Sequence, residues 1–100
     1  MRRRWKELRD WMLINVSKVE CVKDFVLRVR FSDGSSGEHD FARVVAKTGP
    51  MVEPLQNSQF FTRVFVDWGA LTWPNGFELD PIKLYDDMRA AGELQKHAAE

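Results

Sequence analysis

The sequence predicts an α+β domain: a small antiparallel sheet, made of a three-stranded meander and a second hairpin, packed with a C-terminal helix and a short N-terminal amphipathic helix. Three observations predict it. Phe25-Val26-Leu27-Arg28-Val29-Arg30-Phe31 alternates strictly, with Phe25, Leu27, Val29 and Phe31 on one face and Arg28 and Arg30 on the other, the pattern of a strand with one wet side. Turn chemistry punctuates the flanks at Ser32-Asp33-Gly34-Ser35 and again at Asn75-Gly76. Finally, Asp80 followed by Pro81 is an N-cap with proline at the first helical position, a start signal for a helix.

In chain order, Trp5, Leu8, Trp11 and Met12 fall within an arc of about 120° on a helical wheel, with Arg4, Lys6, Glu7, Arg9 and Asp10 elsewhere. Residues 1–12 are therefore predicted to be a basic, amphipathic helical extension. Met12 followed by Leu13-Ile14-Asn15-Val16 also reads as a chain start, so residues 1–11 have the look of an addition to a domain beginning there. Residues 16–22 and 25–31 form the first hairpin through Lys23-Asp24, and residues 37–41 return as the third strand. In the turn between them, Asp33 can bond the backbone two residues on, and Gly34 tolerates positive φ.

Residues 41–47 read as a helical turn ended by Thr48-Gly49-Pro50, and residues 54–57 and 58–61 as short turns that pin a crossing loop to the core. A second hairpin about Trp68-Gly69 joins residues 63–68 to 70–73. Trp73-Pro74 approaches a tight turn at Asn75-Gly76, and Trp73 and Phe77 are expected to clamp this corner to the helix. Ile82, Leu84, Tyr85 and Met88 give the helix its apolar side, with the Tyr85 hydroxyl reaching the surface. Gly92 marks its end, the single domain spans 13–92, and residues 93–100 are expected to fray.

Composition bounds the chemistry. One hundred residues make one core with little room for a deep cleft. The net charge of zero argues against a generic polyanion binder. The charges are unevenly spread, Arg2, Arg3, Arg4, Lys6 and Arg9 outweighing Glu7 and Asp10 at the front, and Glu78, Asp80, Asp86, Asp87 and Glu93 outweighing Lys83 and Arg89 at the rear. Cys21 is the sole cysteine, read as a small apolar strand residue. It rules out a disulfide framework, and with no apolar run of spanning length and no signal-peptide pattern a cytoplasmic location is expected.

Metal and catalytic sites are not expected. The best zinc ligands on offer are Cys21, His39 and Asp40, with His97 in the tail, short of a spaced ligand set. Ser35, Ser36, His39 and Asp40 lie close in sequence, yet adjacent strand residues point to opposite faces, so His39 and Asp40 cannot pair simply. Asp80 is explained as the cap, and Glu78 either supports the same helix dipole or meets a partner's arginine. No cofactor is expected.

The residues that end the second strand, Val29-Arg30-Phe31-Ser32-Asp33-Gly34, followed by Asp40-Phe41, Pro54-Leu55, Phe60, the run Trp73-Pro74-Asn75-Gly76-Phe77-Glu78-Leu79-Asp80-Pro81 and then Leu84-Tyr85, resemble the domain-of-unknown-function family 2442 of small bacterial proteins. The resemblance covers roughly residues 13–88, and its specific part is the Trp-Pro-Asn-Gly segment with Leu-Tyr behind it; the family commonly has Asp where this chain has Glu78. It implies an α+β domain with an antiparallel sheet and no established catalytic residues. Family members often sit beside a gene for another small protein, and some carry a helix-turn-helix domain, which implies an antitoxin-like or adaptor role.

The leading expectation is thus a non-enzymatic protein-interaction module whose partner is the product of an adjacent gene or a second copy of the chain. Its contact residues are expected among Trp5, Leu8, Trp11, Arg28 and Arg30. The alternatives are a nucleic-acid-associated regulator using the basic residues 2–11, and a small-ligand-binding or catalytic domain.

Overall fold

A computed structural model of the chain describes residues 14–96. The predicted N-terminal helix and its residues Trp5, Leu8 and Trp11 lie outside the described residues.

Strands β1 (Val16–Lys23), β2 (Val26–Phe31) and β3 (Ser35–Asp40) form the antiparallel meander. The predicted alternation of β2 holds: Leu27, Val29 and Phe31 are buried while Arg28 faces water. Phe25 does not continue this strand. It sits in the two-residue turn after Asp24 at φ +62°, a conformation that costs a side-chain-bearing residue about 1–2 kcal/mol. Its ring packs edge-on against Phe61 at 5.3 Å, and its carbonyl accepts the Phe41 N–H at 2.7 Å, contacts that offset the strain.

After β3 the chain runs through α1 (Ala42–Val45), a 3-10 turn (Glu53–Gln56) and α2 (Ser58–Phe61), the short pieces predicted to pin the crossing loop. Asn57 caps α2 by accepting from the N–H groups of Gln59 and Phe60. β4 (Phe65–Asp67) and β5 (Ala70–Thr72) then form the second hairpin. Its two turn residues both have positive φ, Trp68 at +51° and Gly69 at +77°, as a right-twisted two-residue hairpin requires. Gly69 has a second reason to lack a side chain, since a Cβ there would meet the Asn15 side chain at 2.5 Å. Its carbonyl accepts the Val16 N–H at 2.8 Å, stitching this hairpin to the start of β1.

The hairpin gains a strand the sequence reading did not foresee. β6 (Glu78–Leu79) pairs with β5 to make a second, three-stranded sheet. The link is the Asn75-Gly76 corner. The Gly76 N–H donates to the Trp73 carbonyl at 2.8 Å, the Trp73 N–H donates to the Phe77 carbonyl at 2.9 Å, and Gly76 takes φ +92°. From there Asp80 caps α3 (Pro81–Ala90) through the Ile82 N–H at 2.9 Å, as its sequence signature predicts.

One core serves both sheets. Val16, Leu27, Val29 and Phe31 from the meander meet Phe41, Leu55, Phe61, Leu71, Trp73, Leu84 and Met88 from the crossing loop, the second sheet and α3. Trp73 is 1% exposed, and its indole N–H donates to the Phe61 carbonyl at 3.0 Å, so the ring is buried without an orphan donor.

Residues 93–96 depart from the expected frayed tail, and residues 97–100 lie outside the described residues. Gly92 adopts φ +73°, and the Glu93 N–H reaches back to the Met88 carbonyl at 2.9 Å, the six-to-one bond of a glycine-ended helix. This reversal lays Glu93 and Leu94 across β3, and β7 (Gln95–Lys96) pairs with Ser35 and Ser36 as the fourth strand of the meander sheet, in the order β1-β2-β3-β7. Gly37 makes room for the crossing, because a Cβ there would collide with the Glu93 carbonyl. Gly37→Ala is accordingly expected to unseat β7, read as faster amide exchange for residues 93–96 with the exchange of α3 nearly unchanged.

Candidate interaction surface

Two constellations bring functional-looking side chains together: a polar node at the β2–β3 turn and the wet face of the four-stranded sheet. The node begins with Asp33, whose Oδ1 accepts from the Ser35 N–H at 3.0 Å and the Ser35 hydroxyl at 2.6 Å. This is the turn bond the sequence predicts for Asp at that position. Its Oδ2 accepts from the Tyr85 hydroxyl at 2.7 Å and lies 3.9 Å from Lys96 Nζ. The Tyr85 ring stacks edge-on against Phe31 at 5.1 Å. Tyr85 therefore points its hydroxyl at the meander turn, and it fastens α3 to the sheet.

Partial burial raises the pKa of Asp33, but bonds from the Ser35 side chain and backbone and from Tyr85, with the Lys96 charge, outweigh it and hold the carboxyl below its ordinary value. Burial and the Asp33 hydrogen bond raise the Tyr85 phenol.

On the wet face, strand register places side chains in rows. Lys18, Arg30, Ser36 and Gln95 follow one another across β1, β2, β3 and β7, and Glu20, Arg28 and Glu38 form the neighbouring row. Arg28 is clamped from both sides: Nη1 lies 3.1 Å from Glu20 Oε1 and Nη2 lies 2.7 Å from Glu38 Oε2. Hydrogen bonds donated to Glu38 and then to Glu20 raise the guanidinium pKa further above an already high value, so Arg28 is a fixed cation at any pH the fold meets. The three side chains remain about half exposed, at 50%, 55% and 46%. Pairs that wet contribute little to stability. What they do is hold a planar, five-donor group in one orientation at the surface. Around them Lys18, Arg30, Ser36, Gly37, Glu93 and Gln95 complete the lining of a shallow cavity of about 660 Å³.

Arg28 and Arg30, predicted from the alternation, both line this cavity. The carboxylates that orient Arg28 were missed in the sequence reading, although opposite charges across a hairpin are the signal that finds them.

The remaining predicted residues are structural. Trp73, Pro74, Asn75 and Gly76 build the corner, where Asn75 accepts from the Phe77 N–H at 3.2 Å and donates to the Met51 carbonyl at 2.9 Å. Asp80 and Pro81 start α3, and Glu78 is an exposed β6 residue opposite Thr72.

The catalytic and metal candidates do not converge. His39 Nδ1 sits 2.7 Å from Glu93 Oε1, Asp40 accepts from the Ala42 N–H at 2.8 Å, and the Ser35 hydroxyl is held by Asp33. Cys21 lies on β1 as predicted but is exposed, its thiol 3.3 Å from the Lys23 carbonyl. Among the described residues no group of three or more His, Cys, Asp or Glu side chains is placed to hold a metal ion, and no helix is long and apolar enough to cross a membrane.

A four-stranded meander sheet and a smaller three-stranded sheet, locked by an Asn-Gly corner and one capped helix, define an α+β domain. A family model described as "Protein of unknown function (DUF2442)" matches residues 16–90, and the chain belongs to that family. No curated protein and no solved structure matches the chain.

The polar node sets a pH window. Asp33 is lowered, so its contribution is complete above the ordinary carboxylate value of about 4 and is lost as pH falls through the folded value. Tyr85 is raised, so its contribution is complete below about 10 and is lost as pH rises through the folded value. Tyr85→Phe is expected to lower unfolding free energy by roughly 1–3 kcal/mol near neutrality. In urea melts taken over a pH series, Asp33→Asn should in addition flatten the acid limb.

Proposed function

We propose that this protein is a non-enzymatic protein-interaction module, antitoxin-like or adaptor in kind, which docks a small protein partner encoded beside it. The single observation that carries the reading is Arg28, held rigid between Glu20 and Glu38 on the open floor of the polar cavity. Arginine is enriched among residues that dominate interface energy, and a guanidinium already fixed by its neighbours loses less freedom when a partner engages it. The wet sheet face offers matched charges of both signs, a pattern that favours a specific protein surface over a polyanion. The His39, Ser35 and Asp40 side chains are each committed to a structural contact, which supports a binding role over a hydrolytic one. A cytoplasmic setting belongs to the same reading.

Co-expression with the neighbouring gene product followed by native mass spectrometry tests it. The expected result is a defined complex whose Kd weakens about tenfold or more on Arg28→Ala, with the melting temperature of the free domain nearly unchanged, as for an exposed ion pair. Absence of a complex at tens of micromolar, or a complex indifferent to Arg28→Ala, would overturn the proposal.

A further inference from the structure

β1 is the end strand of its sheet. Its outward backbone is engaged at its start, where the Val16 N–H bonds to the Gly69 carbonyl. Among the described residues, no other backbone bond joins β1 to an element other than β2. Register irregularities lie between Val16 and Lys18 and between Cys21 and Lys23, leaving residues 18–21 as the regular stretch of this edge. Lys18 and Glu20 stand on the wet side, opposite Arg30 and Arg28, while Val19 and Cys21 stand on the core side, opposite the fully buried Val29 and Leu27. Val19 is partly buried against the core and Cys21 is exposed, so the core-side lip of the sheet is only partly covered here.

We propose that this edge pairs with the β1 edge of a second copy of the chain, antiparallel, about a two-fold axis through Val19. The argument is one of register and charge. Directly opposed residues in an antiparallel pair share a face, so a two-fold axis that continues the sheet must pass between a residue and its own copy. Centred on Lys18 or on Glu20, the pairing sets like charges against each other, which is destabilising. Centred on Cys21, it sets Glu20 against Val22 and Val19 against Lys23, and Lys18 meets only Asp24, beyond the end of the strand. Centred on Val19, it sets Lys18 against Glu20 of the second copy and Glu20 against its Lys18, with valine meeting valine on the core side. Lys18 has no ion-pair partner among the described residues, and Glu20 has a second oxygen beyond the one that meets Arg28. The result is an isologous contact. Such a contact closes on itself, and the irregularities at both ends confine it to the middle of β1, short of Val16, whose N–H is already engaged by Gly69.

The contact runs along the edge of the sheet, but Lys18 and Glu20 also line the wet-face cavity and Glu20 holds Arg28, so the test reads self-association of the chain alone, with no partner present. Sedimentation equilibrium and native mass spectrometry of the full chain test it with charge reversals. The wild-type chain is expected to dimerise. Lys18→Glu alone and Glu20→Lys alone should each weaken the dimer by roughly tenfold or more, since each change turns two attractive cross-strand pairs into two repulsive ones. An equimolar mixture of Lys18→Glu with Glu20→Lys should recover a mixed dimer, because both of its cross-strand pairs are again of opposite sign. A monomeric wild type would overturn the proposal, whether the edge stays open or residues 1–13 of the same chain cover it. So would a dimer that both single reversals leave intact, or one abolished by Trp5→Ala with Trp11→Ala and untouched by the reversals, which would assign the contact to the N-terminal segment. Far-ultraviolet circular dichroism of each variant separates lost association from lost folding.

Discussion

The burial of Trp73 is the constraint on which the rest of the structure depends. It directly follows the central strand of the small sheet, packs against Phe61 at 5.6 Å and Phe77 at 5.8 Å, and ties its indole N–H to the Phe61 carbonyl. Truncating a fully buried aromatic ring of this kind costs on the order of 3–5 kcal/mol, a large part of the stability of a domain this small. Because the ring is fixed, the chain beyond it has to turn at once. The Asn75-Gly76 corner is the local solution: Gly76 supplies the left-handed backbone, and Asn75 binds both the returning strand and the crossing loop. The start of α3 follows from where that corner lets the chain go.

The same economy governs the far end of α3. A helix that simply frayed would leave the edge of β3 open and the core side of the turn thinly covered. A left-handed Gly92 instead folds the chain back, Leu94 joins the core, and His39 and Glu93 meet across the crossing. The Asp33–Tyr85 bond and the Lys96 approach then close the opposite corner of the sheet. Asp33 of the meander turn and Tyr85 behind the Asn75-Gly76 corner are in this way two halves of one contact between sheet and helix.

With those residues absorbed by the architecture, the surface proposed for recognition among the described residues is the wet face of the meander and its β1 edge. On that face the Glu20, Arg28 and Glu38 row is internally neutral, while the Lys18, Arg30, Ser36 and Gln95 row is built from cations and polar groups. A partner that meets both rows needs a charge pattern of its own in register with them. Such matching selects against wrong partners more than it adds raw affinity.

Much of this was legible in the chain itself. The alternation of β2, the Asp33-Gly34 turn, the Trp68-Gly69 hairpin, the Asn75-Gly76 corner and the Asp80-Pro81 helix start are local decisions, set by side-chain period, backbone sterics and caps within a few residues, and sequence determines those directly. What only the tertiary structure decided is whatever hinges on a partner distant in the chain. Phe25 left its strand for a turn because Phe61 was waiting across the core. The turn Phe25 sits in joins β1 to β2, whose register places Glu20 opposite Arg28. Glu78 and Leu79 became a strand because β5 offered an edge, and Gln95 and Lys96 became one because Gly37 leaves space for the chain to cross. Two-residue pairings such as these have no signature of their own. They form only where the closed core brings an unpaired backbone edge within hydrogen-bonding reach.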